Sequence, residues 1–95
     1  MFHVYVLRCA DDSLYVGSTQ NLQARVRAHN NRRGAAHTFK HRPVNLVYSE
    51  AFGSETEAVR RERQIKRWSR GKKDALIAGD LKNLKHLSKR PLRSG

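Results

Sequence analysis

Glu62 is the only acidic residue between positions 60 and 73, a stretch otherwise rich in lysine and arginine. At helical spacing it follows Ala58 by one turn and precedes Ile65 by three residues, which predicts that it faces the core. A carboxylate on the inner face of a basic helix costs free energy unless it has a partner. That partner could be a divalent metal at a phosphate-cutting site, or it could be a buried arginine.

Tyr5 and Tyr15 are ten residues apart, in two segments that are expected to pair as strands. They can therefore occupy one face of a hairpin, either as core aromatics or as two phenols that line a cleft. A phenol has a pKa near 10, so its use as a base at pH 7 costs about 4 kcal/mol. A neighbouring cation or metal would lower that pKa and reduce the cost.

Arg25 and His29 are four residues apart, so their side chains can be neighbours on a helix. Arginine grips a phosphate through two parallel hydrogen bonds, and histidine accepts a proton or positions a water molecule. The alternative interpretation is an arginine at the rim of a helix and a histidine on a half-buried stripe.

The elements that must position these groups are short. Alternating apolar residues predict strands over residues 2–9 and 14–18, which a tight polar turn joins as an antiparallel hairpin. Asn21 is expected to cap a helix that ends near position 30. A third strand is predicted over residues 45–49.

Ser54 opens a capping box, with a carboxylate three residues later, and should start the basic helix, roughly 55–69. Gly71 is expected to end that helix, and a shorter one should run from 72 to 78 and close at Gly79. The pattern predicts a small α/β fold, a three-stranded and mainly antiparallel sheet flanked by helices.

The chain is strongly basic, with 20 Lys and Arg against 8 Asp and Glu, a net charge of +12. Residues 1–50 carry 7 basic and 3 acidic side chains, and residues 51–95 carry 13 and 5, so the surplus is uneven. Such a charge attracts polyanions, among which nucleic acid is the commonest in a cell.

Cys9 is the only cysteine, which excludes a disulfide framework and a cysteine zinc cluster. No apolar run approaches the roughly 20 residues that a membrane span needs, and the N-terminus has no signal-peptide core. A cytoplasmic, reducing location is therefore expected.

The order of these groups resembles that of the GIY-YIG nuclease superfamily, in particular its small stand-alone members. His3-Val4-Tyr5 stands where the family has Gly-Ile-Tyr, and Tyr15-Val16-Gly17 stands for Tyr-Ile-Gly. Residues 17–29 look like the segment with the family's arginine and histidine, and residues 61–66 look like the segment with its glutamate. The resemblance covers roughly residues 2–79, which are expected to form the nuclease-like domain, with 80–95 as a basic tail, partly helical or disordered.

The resemblance implies a metal-dependent endonuclease that hydrolyses phosphodiester bonds in DNA. Its catalytic residues would be Tyr5, Tyr15, Arg25, His29 and Glu62. Glu62 would bind one Mg²⁺ or Mn²⁺ ion, with water and phosphate oxygens as most of the other ligands. Arg25 would stabilise charge on the phosphoryl oxygens, and one of the two tyrosines would orient or deprotonate the attacking water with help from His29.

The resemblance and the charge together imply that nucleic acid is bound, with DNA favoured over RNA, through its phosphates and largely without sequence choice. The side chains expected to bind it are Arg27, Arg32, Arg33, His37, Lys40, Arg63, Lys66, Arg70, Lys72 and Lys73. No membrane and no obligate protein partner is expected. The alternatives are a catalytically silent basic nucleic-acid-binding module, which would have no reason to keep all five catalytic residues, and a ribosome-associated basic protein.

Overall fold

Three strands form one antiparallel sheet in the computed structural model, which describes residues 1–31 and 41–79. The elements in chain order are β1 (Phe2–Cys9), β2 (Leu14–Thr19), α1 (Leu22–Asn30), β3 (Val44–Phe52), α2 (Glu55–Lys66) and α3 (Arg70–Ala78). β1 lies in the centre, and the sheet order is β2-β1-β3 with both pairs antiparallel. The predicted fold class, an α/β domain with a three-stranded antiparallel sheet and flanking helices, is confirmed.

The two faces of β1 bury different side chains, as the alternation of its residues predicts. Val4 and Val6 face a core cluster that includes Ile65 of α2 and Leu76 of α3. Tyr5 and Leu7 face the opposite cluster, against which α1 packs. The sheet is thus covered by α1 on one face and by α2 and α3 on the other.

Side-chain caps start all three described helices. The side chains of Asn21, Ser54 and Ser69 accept hydrogen bonds from the backbone N–H groups of Ala24, Glu57 and Lys72. Each bond satisfies an N–H that has no partner within its own helix. The first two caps were predicted, and the third was not.

The predicted boundary between α2 and α3 is wrong. α2 ends at Lys66 rather than near position 69, and Gly71 lies in the first turn of α3 instead of ending α2. The Ser69 side chain caps the N-terminus of α3, so that helix begins before Gly71 and includes it. Gly79 does close α3, with a φ of 73° in the left-handed region that favours glycine.

β3 runs from Val44 to Phe52 and is longer than the predicted strand at 45–49. A register shift opposite the step from Val6 to Leu7 lets β3 take one extra residue there. β3 pairs with β1 along the whole of Phe2–Cys9, so its length follows from its partner strand rather than from its own apolar pattern. Within the described residues, no helix is both long and apolar enough to cross a membrane.

Candidate active site

Three aromatic rings meet on the face of the sheet that α1 covers. Tyr5 and Tyr15 have ring centroids 6.4 Å apart, and His29 lies 5.0 Å from Tyr15 and 6.0 Å from Tyr5. We refer to Tyr5, Tyr15 and His29 as the aromatic triad. The prediction that both tyrosines share one face of the hairpin holds in the structure, and the helical stripe brings His29 to them.

Gly17 provides the space in which the Tyr5 phenol lies. β2 places Gly17 directly opposite Tyr5 in the ladder. A Cβ atom on Gly17 would stand 2.5 Å from the Tyr5 hydroxyl oxygen and 2.7 Å from Cζ, well inside van der Waals contact. Glycine is required here because the aromatic ring crosses the backbone.

A hydrogen bond of 3.1 Å joins the Tyr5 hydroxyl to Nε2 of His29. Both side chains are almost completely buried, with 2% of Tyr5 and 1% of His29 exposed. Tyr15 is only half-buried. The triad therefore has a buried inner pair and one outer, half-buried tyrosine.

The environment keeps the inner pair uncharged. Burial raises the pKa of Tyr5 strongly, the neighbouring Tyr15 and Glu62 raise that pKa further, and Arg25 partly opposes them. Burial also lowers the pKa of His29, with a smaller contribution from Arg25. At neutral pH the phenol thus keeps its proton and the imidazole stays neutral.

Arg25 lies one helical turn before His29 and is exposed. It lines a hollow of about 550 Å³ together with Ser18, Gln20 and Glu55. Within residues 1–31 and 41–79, no carboxylate forms an ion pair with its guanidinium. An anion such as a phosphate can therefore reach Arg25 from solvent.

Glu62 points inward from α2, with 18% of its side chain exposed. Ser18 donates a hydrogen bond of 2.7 Å to Oε1, and Lys66 places Nζ 2.7 Å from Oε2. Of the two partners that its position suggested, a buried arginine is not found among the described side chains, because the adjacent Arg61 bonds Glu50 instead. The ion pair with Lys66 joins residues four apart on a helix, an arrangement worth only about 0.3–0.5 kcal/mol.

The donor atoms around Glu62 are compatible with a hard divalent cation. The carboxylate provides oxygen, which Mg²⁺ and Mn²⁺ prefer, and the Ser18 hydroxyl donates a hydrogen bond to one of these oxygens. In the described part of the chain, no cluster of three or more His, Cys, Asp or Glu side chains could hold a metal. A metal at Glu62 would therefore depend on water and substrate oxygens for its remaining ligands, and it fits these residues as a weakly held ion.

The basic side chains expected to bind nucleic acid differ in whether they already contact acidic or aromatic side chains of this chain. Arg27, Arg63 and Lys73 have no acidic partner within the described residues, whereas Lys66 pairs with Glu62. Arg70 donates hydrogen bonds to Asp74 and Asp12, and the contact with Asp12 connects α3 to the hairpin turn.

Lys72 contacts an aromatic ring instead of an acid. Its ammonium lies 4.1 Å from the ring centroid of Trp68. Arg32, Arg33, His37, Lys40 and the predicted tail at 80–95 lie outside the described residues.

Ser18 is the contact of this site that the sequence analysis missed. It follows Gly17 directly and shares a sheet face with Val16, which belongs to the cluster that α2 covers. That alternation was available as a signal, because it places the hydroxyl toward the helix that carries Glu62.

Comparisons with known proteins identify the family of this chain. A family model for the GIY-YIG catalytic domain matches residues 1–74. A UPF0213 protein of Staphylococcus haemolyticus is 49% identical over 75 residues, 79% of this chain and 92% of the relative. A UPF0213 protein of Natronomonas pharaonis is 46% identical over 78 residues, 82% of this chain and 92% of the relative.

A solved structure resembles the chain as well. The solution NMR structure of a UPF0213 protein from Bacillus halodurans has a TM-score of 0.54 and 37% identity, and the match covers 95% of this chain and 100% of that one. The matched residues 1–74 include the aromatic triad, Arg25 and Glu62. The chain therefore belongs to the GIY-YIG nuclease family.

Proposed function

We propose that this protein is a metal-dependent endonuclease that hydrolyses phosphodiester bonds in DNA. The observation that supports this most directly is the hydrogen bond between Ser18 and Glu62. It ties the acid of α2 to the strand that carries Tyr15 and Gly17, within electrostatic reach of the Tyr5 hydroxyl. Residues 1–79 would form the nuclease domain, and 80–95 a basic tail.

Arg25 would bind and neutralise the scissile phosphate. Its guanidinium is exposed, has no acidic partner in the described part of the chain and borders an open hollow. A guanidinium held there stabilises negative charge that develops on the phosphoryl oxygens during attack.

Tyr15 is the better candidate for orienting the attacking water. It is half-buried, whereas Tyr5 is enclosed and bonded to His29. Burial raises the pKa of Tyr5, so this phenol would hold its proton and fix the histidine in place rather than act as a base.

Glu62 would hold one Mg²⁺ or Mn²⁺ ion through its carboxylate. When bound, this ion supplies positive charge to the scissile phosphate and the leaving oxygen. The exposed Arg27 and Arg63 and the half-buried Lys73 would contact DNA through its phosphates, which gives affinity without sequence choice. The proposed location is the cytoplasm, where a chain with one cysteine needs no disulfide.

Glu62→Gln tests the proposal because it keeps the side-chain shape and removes the anionic ligand. We expect cleavage to fall at least about a hundredfold while binding at low salt stays near that of the wild type. The assay uses single-stranded, duplex and flap DNA and an RNA strand, with Mg²⁺, Mn²⁺ or EDTA. Glu57→Gln, an exposed position on the same helix, is the matched control. Full cleavage by Glu62→Gln would contradict the metal-binding role of Glu62, and an absence of cleavage by the wild type would contradict the nuclease proposal.

A catalytically silent nucleic-acid-binding module is the second candidate. The observation that favours it is the ion pair with Lys66, which occupies Oε2 of the proposed metal ligand. The same assay separates the two functions. A silent module would bind every substrate in the panel and cleave none of them with either metal.

A further inference from the structure

The two oxygens of Glu62 are held by partners of very different kinds. Oε1 accepts from Ser18, which is part-buried on β2 and paired in the ladder with the fully buried Val4. Oε2 faces Lys66, whose side chain is 50% exposed and lies on the same helix as Glu62. One partner is thus fixed by the sheet, and the other is a flexible side chain at the surface.

We propose that Ser18 is a positioning residue that fixes Oε1 of Glu62, and that Lys66 is an exchangeable partner that leaves Oε2 when a divalent cation binds. This inference rests on the proposed metal-dependent function. It assigns two further residues to the same site and gives each a separate role.

Ser18 is suited to a fixed role because its backbone cannot move without disturbing the ladder between β1 and β2. A hydroxyl donates one hydrogen bond, and a carboxylate oxygen has two lone pairs. The bond to Ser18 therefore orients the carboxylate and still leaves acceptor positions on both oxygens. Partners that orient a metal ligand in this way commonly change affinity about tenfold to a hundredfold when they are removed.

Lys66 can leave Oε2 of Glu62 readily, because a lysine ammonium is a point charge on a long, rotatable side chain. Its contact with Glu62 joins residues four apart on a helix, and such pairs are weak when one member is exposed. A divalent cation competes for the same oxygen with twice the charge. Once released, the ammonium can turn toward a phosphate, so Lys66 would couple metal entry to substrate binding.

The test measures Mn²⁺ binding to the full chain, using the electron paramagnetic resonance signal of free Mn²⁺, with and without duplex DNA. Ser18→Thr and Ser18→Val form a matched pair, because both branch at Cβ and only threonine keeps the hydroxyl. We expect threonine to bind Mn²⁺ as the wild type does and valine to bind about tenfold more weakly. Ser18→Ala repeats the comparison without added bulk, and circular dichroism verifies that each variant is folded.

Cleavage as a function of metal concentration provides a second readout. Ser18→Val should need about tenfold more Mn²⁺ for half-maximal cleavage and should recover near wild-type rates at saturation, because only the orientation of the ligand is lost. A merely structural role would lower the rate at every metal concentration.

Lys66→Gln tests the exchangeable partner. We expect Mn²⁺ to bind about threefold more tightly without DNA, because no ammonium competes for Oε2. Arg60→Gln is the control, since it removes one charge from an exposed position of the same helix, where the described residues give it no acidic partner. Equal affinities for these two variants would overturn the role of Lys66.

The outcomes also separate this inference from the proposed function. If the wild type binds Mn²⁺ and Ser18→Thr, Ser18→Val and Ser18→Ala bind it equally well, the positioning role of Ser18 is wrong and the nuclease proposal stands. If the wild type binds no Mn²⁺ even with DNA present, the metal-dependent function and this inference both fail.

Discussion

Tyr5 and Tyr15 have the same side chain and share one sheet face, yet their surroundings differ. The Tyr5 hydroxyl is enclosed between Gly17 and His29, and its pKa is raised by burial. Tyr15 contacts the other rings from a half-buried position. This asymmetry gives the two phenols separate roles in the proposed reaction.

Removing each hydroxyl should therefore have different effects. We expect Tyr15→Phe to lower single-turnover cleavage about a hundredfold, the range of a positioned proton-transfer or water-orienting group. Tyr5→Phe should lower cleavage by less than about tenfold and unfolding free energy by about 1–2 kcal/mol, because it removes the buried bond to His29. Urea unfolding and single-turnover assays measure both. A larger loss of cleavage for Tyr5→Phe than for Tyr15→Phe would instead show that Tyr5 orients the attacking water.

Gly17 should tolerate no side chain. Gly17→Ala would place Cβ 2.5 Å from the Tyr5 hydroxyl oxygen, so the ring or the strand must shift. We expect a loss of about 1–3 kcal/mol in unfolding free energy, as for other overpacked sites. Gly53→Ala is the matched control, because a Cβ there meets nothing within 4 Å. Equal unfolding midpoints for the two variants would contradict the steric argument.

Among individual residues, the sequence predicts those placements that depend on local spacing. Alternation places Tyr5 and Tyr15 on one face, and helical spacing places His29 on the face of α1 that packs against the sheet. It does not predict the bond from Ser18 to Glu62, whose members are 44 residues apart. That contact depends on where α2 crosses the sheet, and no local pattern in either segment specifies the crossing.

Arg61 connects α2 to β3 and to Trp68, on the face of the sheet that α2 covers. Its guanidinium donates to both carboxylate oxygens of Glu50 on β3 and to Gln64. It also lies 5.0 Å from the ring centroid of Trp68, which follows α2. Tyr48 also donates a hydrogen bond to Glu50. These contacts attach α2 to β3 and so determine where Glu62 lies.

The geometry of this cluster predicts that lysine cannot replace Arg61. Arg61→Lys keeps the charge and loses the two-point contact with Glu50, so we expect a loss of about 2 kcal/mol in unfolding free energy. Arg60→Lys, at an exposed position, should change it by less than about 0.5 kcal/mol. Urea unfolding monitored by Trp68 fluorescence measures both.

The same cluster has a defined pH dependence. Burial alone would raise the pKa of Glu50, but the hydrogen bonds from Arg61 and Tyr48 outweigh it and hold that pKa below its usual value. Its stabilising effect is therefore present above the unfolded pKa of about 4.3 and is lost as the pH falls below it. Arg61→Lys should weaken this acid sensitivity, and an unchanged dependence below pH 5 would contradict the role of the pair.

The sequence predicts which segments form helices and which form strands, but it does not predict where all of them begin and end. The capping box at Ser54 and the glycine at position 79 mark their helix ends locally, and both were predicted correctly. Gly71 was misassigned because a glycine after a basic run resembles a helix end, whereas Ser69 provides the actual cap. The length of β3 depends on its register with β1, which the strand's own residues do not encode.

Over the whole molecule, the net charge of +12 should dominate the binding of nucleic acid. If about five phosphates are neutralised on duplex DNA, the logarithm of the binding constant should fall against the logarithm of salt with a slope of about −4 to −5. Fluorescence anisotropy between about 50 and 200 mM salt, in EDTA so that no cleavage occurs, measures this slope. A slope near zero would contradict binding through phosphates.

Because Ser18 and Glu62 are 44 residues apart, the ribosome synthesises the two halves of this contact at different times. Both phenols, the arginine and the histidine emerge within the first third of the chain, and the acid emerges 44 residues after the serine that it bonds. A polypeptide released before position 62 would carry no ligand for the proposed cation. Premature termination would therefore yield fragments that carry both phenols and lack the proposed metal site.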